Sequence, residues 1–485
     1  MQIRNLGPIK NLEIDLNKMN VFVGENGTGK TLASYAIYSF IYWFYEKFVI
    51  DAIDWEDIKE IICKKKNYLY STDKIVKQAV EEFNKLDFKY FDDFFNHTGL
   101  YKEGVSQVKV TPNDFNHFGE LLTHSQNTRW YWNWPANKDS KDSEMDKNNI
   151  NSNYENNRIY FMINDNANGI NIFYEPARGI SSDLYLSQFE ALKSSQAEPL
   201  KMSQGRVASN FTSLGVSAAI FSEQSVFYLP AERIGINVFR PNLNVTRLNE
   251  YPSLVARDLS LTSHMTKNKK EKRYAEPIEQ YIIFVNNNVR KLNEKNEKID
   301  ESKLVSKLIP GNFSYEEETD SVKYQLPDSD SPKLDFEILS SSLKSVFSLD
   351  LFLRSTARGS WLVFDEPEMN LHPENQRIIA DLLYKSAKED IKFIISTHSD
   401  YFTKELINCV LKDKLNGQEN NEINVYEFKD GTATKINNIF NIDEPVNNFD
   451  DTTREINNEY YELVNKLWES TEEDENDNQK DEYNE

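Results

Sequence analysis

The segment Val21-Phe-Val-Gly24-Glu-Asn-Gly-Thr-Gly-Lys30-Thr31 constrains this chain more than any other. A short apolar strand signal runs into a turn carrying three glycines, and an apolar helix signal follows from Ala33 to Phe44. Strand, GxxxxGKT turn and helix in that order make a phosphate-binding loop, and the flanking elements separate it from an ordinary glycine turn. The backbone N–H groups of Asn26, Gly27, Thr28 and Gly29 and the helix N-terminus point at anionic oxygens. Lys30 reaches β- and γ-phosphates, and the Thr31 hydroxyl is placed to ligate Mg²⁺.

Two further segments supply the rest of a nucleotide chemistry. Trp361-Leu-Val-Phe-Asp365-Glu366-Pro367 is an apolar strand that ends in two acids. Asp365 supports the metal, and Glu366, just past the strand end, is the general base or orients the attacking water. Taken alone, such a pair reads as a turn; beside a phosphate-binding loop the catalytic reading prevails. Ile394-Ile-Ser-Thr397-His398-Ser399 ends a second buried strand, predicted to neighbour the first, and places His398 where it can sense a γ-phosphate. His97, His117, His124 and His264 form no metal spacing with nearby acids.

Strands alternating with helices, at Ser341–Leu353, Asn375–Ala387 and around these segments, predict an α/β fold with a mostly parallel core sheet covered on both faces. Residues 1–44 and 221–440 read as the two parts of this core, the second including a helix and small antiparallel sheet over 275–338. Residues 45–220 read as a large, mainly helical insertion, with a polar low-complexity loop at 135–157, strand-like runs at Arg158–Ile163 and Gly169–Tyr174, and helical stretches near 184–192 and 207–222. Residues 441–468 form a C-terminal helical segment, and 469–485 an acidic tail with too little apolar surface to pack.

The 485-residue, 56.7 kDa chain has room for two to four structural units. A hydrophobic share of 39% excludes a disordered chain, while a mean hydropathy of -0.65 gives a polar, water-compatible surface. The net charge of -22 argues against a protein that coats nucleic acid over its whole surface. The basic run Lys267–Arg273 is the one sequence feature that favours a phosphate-backbone contact, and a solvated loop explains it better. Cys63 and Cys409 cannot build a disulfide framework or a cysteine-based zinc site, and with no signal peptide in view the expected setting is a reducing cytosol. Ala33–Phe44 is too short to cross a bilayer, so no membrane association is expected.

FVGENGTGKT, LVFDEPEMNLHP at Leu362–Pro373, ISTHS at Ile395–Ser399 and the amino-terminal IRNLGPIKNLEIDL together resemble the ATP-binding-cassette ATPases of the SMC, RecF and OLD type. The resemblance covers roughly residues 1–40 and 225–440. With a YLPAERIGI-type strand at Tyr228–Ile236, the chain is most similar to standalone ATPases of bacterial phage-defence operons such as the PARIS system. Such a resemblance implies ATP and Mg²⁺ as cofactors, sandwiched between two head-to-tail copies. It also implies Asp365 and Glu366 as Walker B acids, and a signature serine reaching the partner's γ-phosphate. The candidate signature is Leu339-Ser-Ser341-Ser342-Leu343-Lys344, which departs from the family pattern at Leu343, where glycine is common; Ser341 and Ser342 stay open as alternatives. Gln188, Gln204 and Gln224 are equal candidates for the glutamine that couples metal to the insertion.

The 87 residues after His398 leave no room for the nuclease domain of OLD-type proteins, so any nuclease or toxin effector is expected on a separate polypeptide. The leading expectation is a homo-oligomeric, ATP-driven switch that holds or senses an effector and responds to a phage trigger protein or DNA. A RecF-like DNA-clamping repair ATPase is the alternative, and a regulatory scaffold with slow hydrolysis a third reading.

Overall fold

The computed structural model describes residues 1–48, 50, 68–96, 98–115, 129–134, 157–163, 169–175, 225–240, 243, 274–294, 302–327, 332–355, 359–418, 423–440 and 455–465. Its strands are β1 (Gln2–Leu6), β2 (Ile9–Glu13), β3 (Met19–Gly24), β4 (Tyr68–Ser71), β5 (Gln107–Lys109), β6 (Arg129–Trp134), β7 (Asn157–Ile163) and β8 (Gly169–Glu175). They continue with β9 (Val226–Leu229), β10 (Asn312–Glu316), β11 (Ser321–Gln325), β12 (Leu334–Asp335), β13 (Trp361–Asp365), β14 (Lys392–Ser396), β15 (Ile423–Lys429) and β16 (Thr432–Lys435).

Among the described residues, nine strands form the main sheet in the order β5-β1-β2-β16-β15-β3-β14-β13-β9. The run β15-β3-β14-β13-β9 is parallel throughout, and β1, β2 and β5 pair antiparallel at one side. Parallel strands need both faces covered, and the side chains divide accordingly. Along β13, Trp361 and Val363 enter one core while Leu362 and Phe364 enter the other; β14 does the same with Ile394 against Phe393 and Ile395. The first core is roofed by the helix Lys30–Glu46, thirteen of whose residues are buried. The second lies under the helices Glu276–Asn288, Ser341–Ser355, Pro373–Lys388 and Asp400–Leu415.

The α/β class with a mostly parallel core sheet is therefore present as expected. Within 45–220, where a mainly helical insertion is expected, the described residues include the helices Thr72–Phe83 and Phe88–Phe94 but also a four-stranded antiparallel sheet, β4-β8-β7-β6. β5, from the same region, joins the edge of the main sheet. Of Tyr228–Ile236, only the first two residues are strand: β9 stops at Leu229 before Pro230, and the chain continues as the short helix Arg233–Phe239. Proline has no N–H to continue the ladder, which explains the break. The helix expected at the start of 275–338 ends at Asn288 and tightens into a 3₁₀ turn, and the small sheet β10-β11-β12 is antiparallel as expected. The basic run 267–273, the candidate helices near 184–192 and 207–222, the three candidate glutamines, Cys63, the loop 135–156 and the acidic tail lie outside the described residues. A helix spans 455–465, and among the described residues no helix is long and apolar enough to cross a membrane.

β15 runs so close to the end of β3 that only glycine fits there. Gly24 pairs with Phe428 and has φ 133°, and a Cβ on it would lie 2.3 Å from the Phe428 carbonyl oxygen. Gly24→Ala is expected to cost about 3 kcal/mol through backbone strain and overlap, read as a lower midpoint of urea unfolding. An unchanged midpoint would contradict this close approach.

Candidate functional site

The site is built where β3, β14 and β13 end side by side. β14 lies between the other two, so the residues after it stand between the glycine loop that follows β3 and the acids that follow β13. Ligand sites in parallel sheets collect at this carboxyl edge because the strand ends release their loops in one direction. Asn26, Gly27, Gly29, Lys30, Thr31, Glu366 and His398 line one cleft there, of about 270 Å³, together with Pro8 and Leu32.

The loop turns through Gly27 and Gly29 at φ 76° and 105°, and Gly29 caps the helix Lys30–Glu46 in the left-handed region. The Thr28 hydroxyl donates to the Glu25 carbonyl at 2.8 Å, closing the turn, and Thr28 is not among the residues that line the cleft. Lys30 is 5% exposed, and its Nζ donates to the Gly24 and Glu25 carbonyls at 2.8 and 2.7 Å. Two of three donors are thus used in holding the loop, and the third is available to an anion. Burial lowers Lys30 to about 8, against the opposing pull of Glu366, Glu368, Asp365 and Glu25. Thr31 is exposed at the cleft, so its hydroxyl is accessible.

On the acidic side, Asp365 is 1% exposed, and both its oxygens are taken: Ser396 Oγ donates to Oδ1 and the Tyr228 hydroxyl to Oδ2. The register explains these partners. Ser396 stands directly opposite Asp365 on β14, and Tyr228 opposite Val363 on β9 is its diagonal neighbour. Burial raises the Asp365 carboxyl to about 6 in spite of the two donors. Glu368 is also raised by burial, and its Oε1 accepts the His398 backbone N–H at 2.7 Å. Glu366 carries its carboxylate into the cleft, with Oε1 3.9 Å from His398 Nε2. Burial and the Lys30 charge lower His398 to about 4, so its imidazole is neutral at neutral pH.

Lys30, Thr31, Glu366 and His398 are therefore brought together, with Asp365 directly behind them. Ser341 and Ser342 are not: they begin the helix Ser341–Ser355 outside the cleft lining, Ser341 exposed and Ser342 half-buried. Ser340 caps this helix by accepting the Leu343 N–H at 3.3 Å. Among the described residues no cluster of three or more acids, histidines or cysteines is set to hold a metal by itself. The residues fit a Mg²⁺ that arrives with phosphate: the Thr31 hydroxyl is a hard oxygen donor, and Asp365, with both oxygens already bonded, fits as the acid behind it.

Sequence reasoning missed Arg233. Its guanidinium is fully buried, 4.9 Å over the Phe364 ring, and bonds to the main chain of Asp365 and Glu366 and to Ser345. The partners lie more than 100 residues away in sequence, so no local pattern announces them. Tyr228 and Ser396, 137 and 31 residues from Asp365, were missed as its partners because only the sheet register brings them to it. Glu368 was visible as the third acid of the Asp365-Glu366-Pro367-Glu368 run.

The Lys30 ammonium, not the free amine, attracts phosphate. Nucleotide affinity is expected to hold below pH 8 and to fall above it, by at most about tenfold per pH unit for one proton. Titration of a fluorescent ATP analogue between pH 7 and 9.5 reads this, and Lys30→Arg, always charged, should flatten the fall. A flat profile in the unsubstituted protein would contradict it.

The AAA ATPase domain family matches residues 1–403. No curated protein matches the chain. Among solved structures, the SmcHead bound to the C-winged helix domain of ScpA is 12% identical, over 90% of this chain and 95% of that one, with a TM-score of 0.34. RecF of the RecFOR pathway is 13% identical over 90% and 96%, with a TM-score of 0.30, and the SMC head domain from Thermotoga maritima 10% over 90% and 96%, with 0.27. With four fifths of its length matched and the cleft assembled from the loop, the acids and His398, the chain belongs to the AAA ATPase domain family.

Proposed function

We propose that this chain hydrolyses ATP with Mg²⁺ and uses the cycle as a switch, two copies closing head to tail around nucleotide. The observation that carries the reading is the convergence of Lys30, Thr31, Glu366 and His398 on one cleft. Lys30 and the helix N-terminus hold the phosphates, and the loop N–H groups orient them. Bound Mg²⁺ supplies charge neutralisation at the β- and γ-phosphates. Glu366 accepts a proton from the attacking water or orients it, and neutral His398 offers a hydrogen bond beside it. Asp365 stays behind the strand end, fixed by Ser396 and Tyr228.

The exposed start of the helix Ser341–Ser355, next to Ile338 at 69% exposure, supports completion of the site by Ser341 or Ser342 of a second copy. A separately encoded nuclease or toxin as effector, a phage trigger protein or DNA, and a role in anti-phage defence rest on the sequence resemblance alone. The RecF-like alternative needs a basic DNA-facing surface, and its one sequence support falls outside the described residues.

Light scattering with and without ATP and Mg²⁺, followed by phosphate release, tests the reading. Unsubstituted protein is expected to hydrolyse ATP and to gain mass with nucleotide. Glu366→Gln should lose hydrolysis by about two orders of magnitude or more and hold the larger species longer. A monomer in every state, or full hydrolysis by Glu366→Gln, would overturn it.

A further inference from the structure

Arg233 is the largest fully buried side chain among the described residues. Its five N–H groups make five hydrogen bonds, and none goes to a carboxylate. Nε donates to the Ser345 carbonyl at 3.1 Å; Nη1 to the carbonyls of Pro230 at 3.1 Å and Asp365 at 2.9 Å; Nη2 to Ser345 Oγ and the Glu366 carbonyl, both at 2.9 Å. A guanidinium among acids would ordinarily pair with one of them. Here it grips main chain instead, which leaves the Glu366 carboxylate to the cleft.

What it grips is strained. Glu366 has φ 47°, a left-handed conformation that costs free energy in any residue with a side chain. It is held from both sides, its N–H donating to the Ser396 carbonyl at 2.9 Å and its carbonyl accepting from Arg233. The Ser345 hydroxyl, which accepts from Arg233, donates onward to the Met369 carbonyl at 2.7 Å. One buried cation therefore joins three segments: the end of β9, the turn Asp365–Met369, and the helix Ser341–Ser355. Lysine has three donors on one atom and cannot reproduce this planar fork.

We infer that Arg233 is a positioning residue, which holds Glu366 in its left-handed conformation and ties the place of that carboxylate to the helix Ser341–Ser355. Nucleotide binding at the glycine loop does not pass through Arg233, so its loss separates turnover from binding. A residue that merely filled the core would, when replaced, weaken both together with the fold. The inference rests on the reading of Glu366 as the residue that handles the attacking water.

The test measures kcat, the Kd of a fluorescent ATP analogue, and amide exchange over 366–370 in unsubstituted protein, Arg233→Lys, Ser345→Ala and Glu366→Gln. Arg233→Lys is expected to lower kcat at least tenfold with Kd within about twofold, and to speed exchange over 366–370. Ser345→Ala removes one acceptor and guards against a misfolded Arg233→Lys; it should lower kcat about fivefold at unchanged Kd. Unchanged kcat in both variants while Glu366→Gln is inactive overturns the inference alone. Loss of binding in step with kcat also overturns it, since that is the signature of a structural role. Normal hydrolysis by Glu366→Gln overturns the reading of Glu366 and the inference with it.

Discussion

Five strands that run the same way deliver their loops to the same edge, and everything else at the site follows from that polarity. β14 inserted between β3 and β13 sets the glycine loop and the acids two strand spacings apart, roughly 10 Å at the usual separation, with His398 between them. An antiparallel arrangement would send alternate loops to opposite edges. The price of the parallel run is complete burial, met by helices on both faces and visible in β13 and β14, every residue of which is buried.

At that edge, charge is concentrated in a region of low dielectric, and the protein's solutions differ from residue to residue. Asp365 accepts from neutral hydroxyls, Glu368 from a backbone N–H, Lys30 donates to loop carbonyls, and Arg233 to carbonyls and a serine. Direct pairing of these opposite charges would quench the site. Instead, each charge is solvated by dipoles, which leaves the cleft open to a ligand that carries the compensating charges. The raised carboxyl of Asp365 and the lowered ammonium of Lys30 are the electrostatic counterpart of that arrangement.

How much of this could be read in sequence depends on how local each cause is. The glycine loop, the buried strands and the acidic pair declare themselves because turn chemistry and burial act within a few residues. The neighbour relation of β14 and β13 follows from chain order in a parallel sheet, and the structure extends it by placing β14 against β3 as well. Arg233 is different: its acceptors are mostly main-chain carbonyls, which every residue carries, so no side-chain pattern marks them. The sheet of the inserted region was legible only in part: β7 and β8, seven residues each, match the strand-like runs at 158–163 and 169–174, whereas β4 has four residues, too few for alternation to outweigh the helical periodicity around it. β6, with Arg129-Trp-Tyr-Trp-Asn-Trp134, did carry a legible aromatic strand signal.

Nucleotide binding beside Lys30 is measured most directly by calorimetric titration of the full chain with ATP and Mg²⁺, unsubstituted and as Lys30→Ala. One nucleotide per chain is predicted, with affinity lost by at least about tenfold in the variant, the worth of one charge-assisted contact. Equal affinity in the two proteins would place nucleotide elsewhere, or nowhere specific, and would contradict the site.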